Sequence, residues 1–336
     1  MFSKRPLTIV AAAGAALALS LTGCATATTP TAAPGGSAGT SAPSGEKPYI
    51  AMISKGFQHQ FWQAVKTGAE KRAAELGVTI TFEGPAAETE VDAQLSMFQA
   101  AIDKKPAAIA YAALDPQACV PLMDKAKEAG IPVVQFDAGC DSEVPLTTAA
   151  TDSLGAGALA ADKMAGLIGE TGKIGIIGHS QINSTGVQRR DGFVNEIKAK
   201  FPNIEIVDIQ YGDGDHLKSA DLAKTMIQAH DDMVGLYGTN EGSAIGVVDA
   251  INELKLEPGK IKIVGFDSGS AQIEAIKSGV MAGAITQNPI GIGEQTVQAA
   301  FDAIQGKTIE KTIDTGFFWY DATNIADPEI AAVLYE

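Results

Sequence analysis

From Tyr49 onward, short apolar runs alternate with stretches in which apolar residues recur every three to four positions. Tyr49 to Ile53 reads as a strand. Trp62, Val65, Ala69, Ala73 and Leu76 then share one helical face, and Gly77 stands where a left-handed residue ends a helix. The alternation continues with strands at Thr79 to Phe82, Ala107 to Tyr111 and Ile131 to Phe136. Between them lie a helical stripe of Val91, Leu95, Phe98 and Ile102 and a helix closing at Ala129-Gly130. The pattern restarts after Thr151, with a helix from Asp152 and strands at Lys173 to Ile177, Ile204 to Ile209, Gly235 to Tyr237, Ile261 to Phe266 and Ala282 to Thr286. Strands that each hand over to a helix build parallel sheets covered on both faces. The expected fold is therefore α/β, with two doubly wound parallel-sheet domains.

Ahead of this pattern stand Lys4 and Arg5, an uncharged apolar stretch from Leu7 to Leu21, and Leu21-Thr22-Gly23-Cys24. This is the layout of an export signal, and its end looks like a bacterial lipobox, in which cleavage before Cys24 exposes a cysteine for lipid attachment. Residues 1–23 are expected to be the signal and Cys24 the lipidation site. Residues 24–47 are nearly all Ala, Thr, Pro, Gly and Ser, a composition that cannot bury enough surface to order itself, and are expected to form a tether. The protein would then be lipid-anchored on the outer face of a bacterial cell membrane. Cys119 and Cys140 lie just past successive strand ends in a compartment that permits disulfides, so a bridge between them is expected, with two small buried thiols as the alternative.

Composition narrows the partners. The 336 residues carry 25 basic and 40 acidic side chains, a net charge of −15 that repels nucleic acid and anionic headgroups alike. Four histidines without metal-ligand spacing argue against a structural metal, and no phosphate-cradling loop is present. Gly155-Ala156-Gly157-Ala158-Leu159-Ala160 matches a dinucleotide glycine pattern, but small residues for helix packing are the better explanation in an exported chain. No cofactor is expected. Gly178-His179-Ser180-Gln181-Ile182 half resembles a nucleophile elbow, with Ile182 where the second glycine should stand.

Ligands of doubly wound sheets bind beyond the carboxyl ends of the strands. The residues standing there are Ser54-Lys55-Gly56, Asp115, Asp137, His179-Ser180, Asn240-Glu241, Asp267-Ser268 and Gln287-Asn288. Helix N-capping is the ordinary role of Asp and Asn at such turns. Over nearly all of Pro48 to Glu336, however, the chain resembles the ribose-binding, sugar-binding branch of the type I periplasmic binding proteins. The resemblance is carried by Ile53-Ser54-Lys55-Gly56-Phe57 with Phe61-Trp62, by Ile131 to Asp137, and by Arg189-Arg190-Asp191-Gly192-Phe193. Thr239-Asn240-Glu241, Val264-Gly265-Phe266-Asp267 and Thr286-Gln287-Asn288 complete it.

The resemblance implies a non-enzymatic, substrate-binding component of an ABC importer, expected to be monomeric and to pass a small neutral sugar or polyol to permease subunits. Three hinge segments would divide it into one domain of residues 48–150 and 288–314 and a second of 151–287 and 315–336. Asp137, Arg189, Asn240, Asp267 and Gln287 match the branch's polar ligand set, and Phe61 and Trp62 its aromatic pair, although Trp62 also begins an apolar helical stripe. Members of the branch carry an arginine after the aspartate, whereas Ala138 follows Asp137 here. A longer first loop brings Lys55, His59 and Gln60 to the mouth, where they could replace that donor. Two other functions share these residues: a sugar-sensing protein that presents its ligand to a membrane receptor, and an extracytoplasmic hydrolase using Ser180 and His179.

Overall fold

The structure is a computed structural model and describes residues 47–335. The expected signal, lipidation site and tether, apart from Lys47, lie outside the described residues. In chain order, β1 (Tyr49–Ile53), α1 (Gln60–Leu76), β2 (Thr79–Glu83), α2 (Val91–Asp103), β3 (Ala108–Tyr111), α3 (Val120–Glu128), β4 (Val133–Phe136) and β5 (Thr148–Ala150) lead into α4 (Ser153–Ile168). Then follow β6 (Gly172–Gly178), α5 (Ser184–Lys200), β7 (Ile204–Tyr211), α6 (His216–Ala229), β8 (Met233–Gly238), α7 (Glu241–Glu253), β9 (Lys262–Phe266) and α8 (Ser270–Lys277). The chain ends with β10 (Gly283–Gln287), α9 (Pro289–Ile304), β11 (Thr312–Asp314), β12 (Phe317–Tyr320) and α10 (Pro328–Ala331).

Two six-stranded sheets result, in the orders β11-β5-β4-β3-β1-β2 and β12-β10-β9-β8-β6-β7. The chain passes from the first sheet to the second between β5 and β6, returns between β10 and β11, and passes over again between β11 and β12. Every pairing is parallel except that of β12, which runs antiparallel to β10. Local chemistry sets the element ends. Gly77 closes α1 at φ 69°, and the Asp152 side chain caps α4 by accepting from the Gly155 N–H. Each sheet is apolar on both faces: one core cluster joins β1, β3 and β4 to α1 and α9, and another packs the opposite face on α2 and α3.

In the second half, α4 and α5 approach closely enough that a Cβ added at Gly157 would strike the Arg189 carbonyl oxygen. The small residues of 155–160 therefore serve helix packing and fix the height of α5, which carries Arg189. Cys119, at the head of α3, is bridged to Cys140 in the loop after β4 with a Cα–Cα distance of 6.0 Å. The C-terminal tail packs Ile330 and Leu334 on the second sheet, and Tyr335 reaches across to the Phe61 ring of the first half.

Candidate functional site

The carboxyl ends of the two sheets face each other across a narrow polar cavity. Lys55, His59, Phe61, Trp62, Glu88 and Asp137 line it from the first half, and His179, Arg189, Asn240, Asp267 and Gln287 from the second. Of the ligand residues expected from the sequence, Lys55, Phe61, Trp62, Asp137, Arg189, Asn240, Asp267 and Gln287 line it and Gln60 does not. Gln60 turns away from the cavity and bonds Ser270 at the head of α8.

Asp137 and Asp267 occupy equivalent places in the two halves. Each follows a central strand in the left-handed region, at φ 57° and 77°, and each donates its N–H to the neighbouring strand, to Ala149 and Ile285 respectively. A non-glycine residue held at positive φ is costly unless its surroundings demand it, and here the kink turns both carboxylates toward the space between the sheets. Capping of their own helices does not explain them: no helix follows Asp137 before β5, and Gly269 is the N-cap of α8. Asn240 does both jobs. Its Oδ1 accepts from the Ser243 N–H at 2.9 Å to cap α7, while Nδ2 lies 3.4 Å from His59 Nε2.

Lys55 and Asp137 form an ion pair at 3.0 Å with side chains 4% and 2% exposed, and Lys55 also donates to Thr185 Oγ1 of the other half at 3.1 Å. A cation therefore does stand beside Asp137, supplied by the first loop rather than by the position after the aspartate. Opposite, Gln287 Nε2 donates to Asp267 Oδ1 at 2.6 Å, and Asp267 Oδ2 accepts from the Glu241 N–H at 2.9 Å. Arg189 lies flat over Phe266, 3.7 Å from the ring centre, and donates Nη1 to the Thr239 carbonyl at 3.2 Å. Phe61 and Trp62 meet edge to face at 4.9 Å, belonging both to the core cluster and to the cavity wall.

His59, Glu88 and His179 complete the wall. Glu88 Oε1 accepts from Trp62 Nε1 at 2.8 Å; burial disfavours its charge, but Lys55, the Trp62 N–H and Arg189 outweigh that and hold the carboxyl below its ordinary range. Burial pushes the His59 imidazole down and, with Arg189, pushes His179 far down. His179 is thus neutral, with Nε2 3.2 Å from Thr185 Oγ1 and Nδ1 2.8 Å from Thr239 Oγ1. Thr185 already donates to Asn183 Oδ1, so His179 carries its proton on Nε2 and donates to Thr185. The hydrolase arrangement is not formed. Ser180 Oγ accepts from the N–H groups of Ile182 and Asn183, and both ring nitrogens of His179 are held by threonines.

Two cations, Lys55 and Arg189, face three carboxylates, Glu88, Asp137 and Asp267, with the histidines neutral. Burial raises the Asp267 carboxyl above its usual value against the pull of Arg189, and the two cations offset two of the three carboxylates. Several polar atoms there are buried without a hydrogen-bond partner among the described residues: His59 Nδ1, Asp137 Oδ2, Arg189 Nε and Gln287 Oε1. Asp137 Oδ2 faces Lys55 at ion-pair distance but outside hydrogen-bond alignment.

Two parallel-sheet lobes, connected by three crossings and meeting over a buried polar cavity, define a bilobed α/β binding protein. The chain belongs to the family of the periplasmic binding protein domain, whose profile matches residues 50–308. It is 29% identical over 271 residues to the D-allose-binding periplasmic protein of Escherichia coli strain K12, covering 77% of this chain and 86% of that one. A carbohydrate transporter solute-binding protein from Agrobacterium radiobacter in complex with D-arabinose superposes with TM-score 0.83 at 32% identity, over 86% of this chain and 99% of the other. An ABC transporter solute-binding protein from Agrobacterium vitis with bound D-fucose gives TM-score 0.82 at 34% identity, over 85% and 100%.

Proposed function

We propose that this protein is a lipid-anchored, extracytoplasmic solute-binding protein that captures a neutral sugar or polyol between its two lobes and delivers it to an ABC permease without chemical turnover. The observation that carries this reading is the set of buried polar atoms contributed by both lobes without hydrogen-bond partners among the described residues. Each such group costs about 1–3 kcal/mol when left unpaired, and ring hydroxyls donate and accept at just the spacing that carboxylate, amide and guanidinium offer. Phe61 and Trp62 supply apolar faces for the C–H surface of a sugar. An anionic ligand would add to three carboxylates, and a cationic one would compete with Lys55 and Arg189; an uncharged ligand meets neither penalty. The relatives with bound D-arabinose and D-fucose support the same class of ligand.

The lobes, residues 48–150 with 288–314 and 151–287 with 315–336, act as jaws: Lys55 of one donates to Thr185 of the other, and Asp137 shares one cavity with Arg189, Asp267 and Gln287, only when they are closed. Ligand that contacts both lobes then shifts the population toward the closed state. A melting-temperature panel of D-ribose, D-allose, D-arabinose, D-fucose and polyols, with amino acids and sugar phosphates alongside, tests the ligand class. A bound sugar at a hundredfold excess over its Kd adds about 2.7 kcal/mol and raises Tm by several degrees. A shift with amino acids or phosphate esters and with no sugar or polyol contradicts the proposal. The anchor is tested separately: Cys24→Ala is expected to leave the protein uncleaved or in the soluble fraction, and normal processing with full membrane retention contradicts lipidation there.

A further inference from the structure

Beyond the cavity, the two lobes are tied by contacts between helix ends. The first residues of a helix carry N–H groups that no carbonyl of the helix itself can accept. At the head of α1, in the first lobe, His59 offers no side-chain cap. The acceptor comes from the opposite lobe: Glu241 takes the Gln60 N–H on Oε1 at 3.0 Å and the Phe61 N–H on Oε2 at 3.2 Å. A carboxylate at a helix N-terminus also gains from the aligned peptide dipoles.

The exchange runs the other way as well. Gln60 Oε1 accepts from both the N–H and the hydroxyl of Ser270, the first residue of α8 in the second lobe, each at 2.8 Å. Tyr335 braces the pair: its hydroxyl accepts from the Ser268 N–H at 3.1 Å and donates to Glu241 Oε2 at 3.4 Å. These contacts touch the cavity wall at both ends, because Phe61 lines it and the Glu241 N–H is held by Asp267. The Gln60, Phe61 and Ser270 N–H groups are each accepted by a side chain of the other lobe, so parting the lobes exposes all three at once.

We infer that Glu241 and Gln60 form a reciprocal helix-capping latch, a positioning device outside the ligand cavity that sets the lifetime of the closed state. The inference rests on the jaw-like closure proposed above, and it explains why Gln60, next to the aromatic pair, does not face the cavity.

Amide hydrogen exchange followed residue by residue at about pH 8, above the value of about 7 to which burial and Asp267 raise the Glu241 carboxyl, with and without D-fucose as probe, separates a latch from two local caps. Neither diagnostic amide is bonded by the residue that is replaced. Glu241→Ala is expected to speed exchange at Ser270, which Gln60 holds, and Gln60→Ala to speed exchange at Phe61, which Glu241 holds, each roughly tenfold. If each variant affects only the amides that it bonds itself, the contacts are independent caps and the latch is wrong. Wild-type Phe61 and Ser270 amides that exchange freely in every condition overturn it too. Exchange at Met52 in the core strand β1 reports on unfolding, and if Glu241→Ala loosens that core, the exposed Gln60 position carries the test alone. A wild type indifferent to D-fucose counts against that sugar and leaves the comparison of variants to decide the latch.

Discussion

Lys55→Met is expected to weaken sugar binding by about 3–5 kcal/mol, the range for removing one partner of a buried ion pair. Lys55 and Asp137 are almost wholly enclosed, and Lys55 reaches Thr185 across the cleft, so the pair is dry only when the lobes are together. Methionine fills the space without the charge and leaves the Asp137 carboxylate uncompensated in the closed complex, while water reaches it in the open one. The penalty therefore falls on binding and not on the stability of the ligand-free protein. Titration calorimetry with whichever sugar raises the melting temperature most checks the first half of this, and the ligand-free melting curve checks the second. An affinity within a few-fold of wild type would remove Lys55 from the site.

The second large effect belongs to the other lobe. Asp267→Ala or Arg189→Ala is expected to cost about 2–5 kcal/mol of affinity, because each leaves charged or polar neighbours buried and unpaired. Asp267 is the hub: one oxygen takes the Gln287 amide, the other takes the Glu241 N–H, and Arg189 lies 3.9 Å away. Removing it frees Gln287 to swing and strips Arg189 of its nearest counter-charge. Arg189 has an added role through its stacking on Phe266, so Arg189→Lys, which keeps the charge but loses the planar fork, is expected to recover only part of the binding. Full recovery by lysine would show that charge alone is read at this position.

Much of this site is legible in the chain because the rule for parallel sheets is positional. The end of an apolar run points into the crevice, and Asp137 and Asp267 just past β4 and β9, Asn240 two residues past β8 and Gln287 closing β10 stand at four such ends. What the pattern does not carry is direction. Gln60 opens α1 and points to the neighbouring helix, while Phe61, one residue on, points into the cavity, a difference of about 100° that only the packed helix settles. Glu88 lies in the turn between β2 and α2 and is drawn inward by the Trp62 indole N–H, a partner 26 residues away that no local pattern links to it. His179 invited a catalytic reading because it precedes a serine, and its true partners are Thr185 and Thr239. In the fold, β5 and β11 are three residues long, too short for periodicity to register, and exist through pairing, β5 between β4 and β11 and β11 on the edge beside β5. The aromatic run of β12 is strand-like by composition, but its antiparallel seat beside β10 follows from the last crossing between sheets.

The central claim is capture between two closing lobes, and small-angle X-ray scattering of the protein with and without a sugar shown by calorimetry to bind tests it most directly. The account predicts a smaller radius of gyration in the bound state. Saturating sugar that leaves the radius unchanged would contradict it.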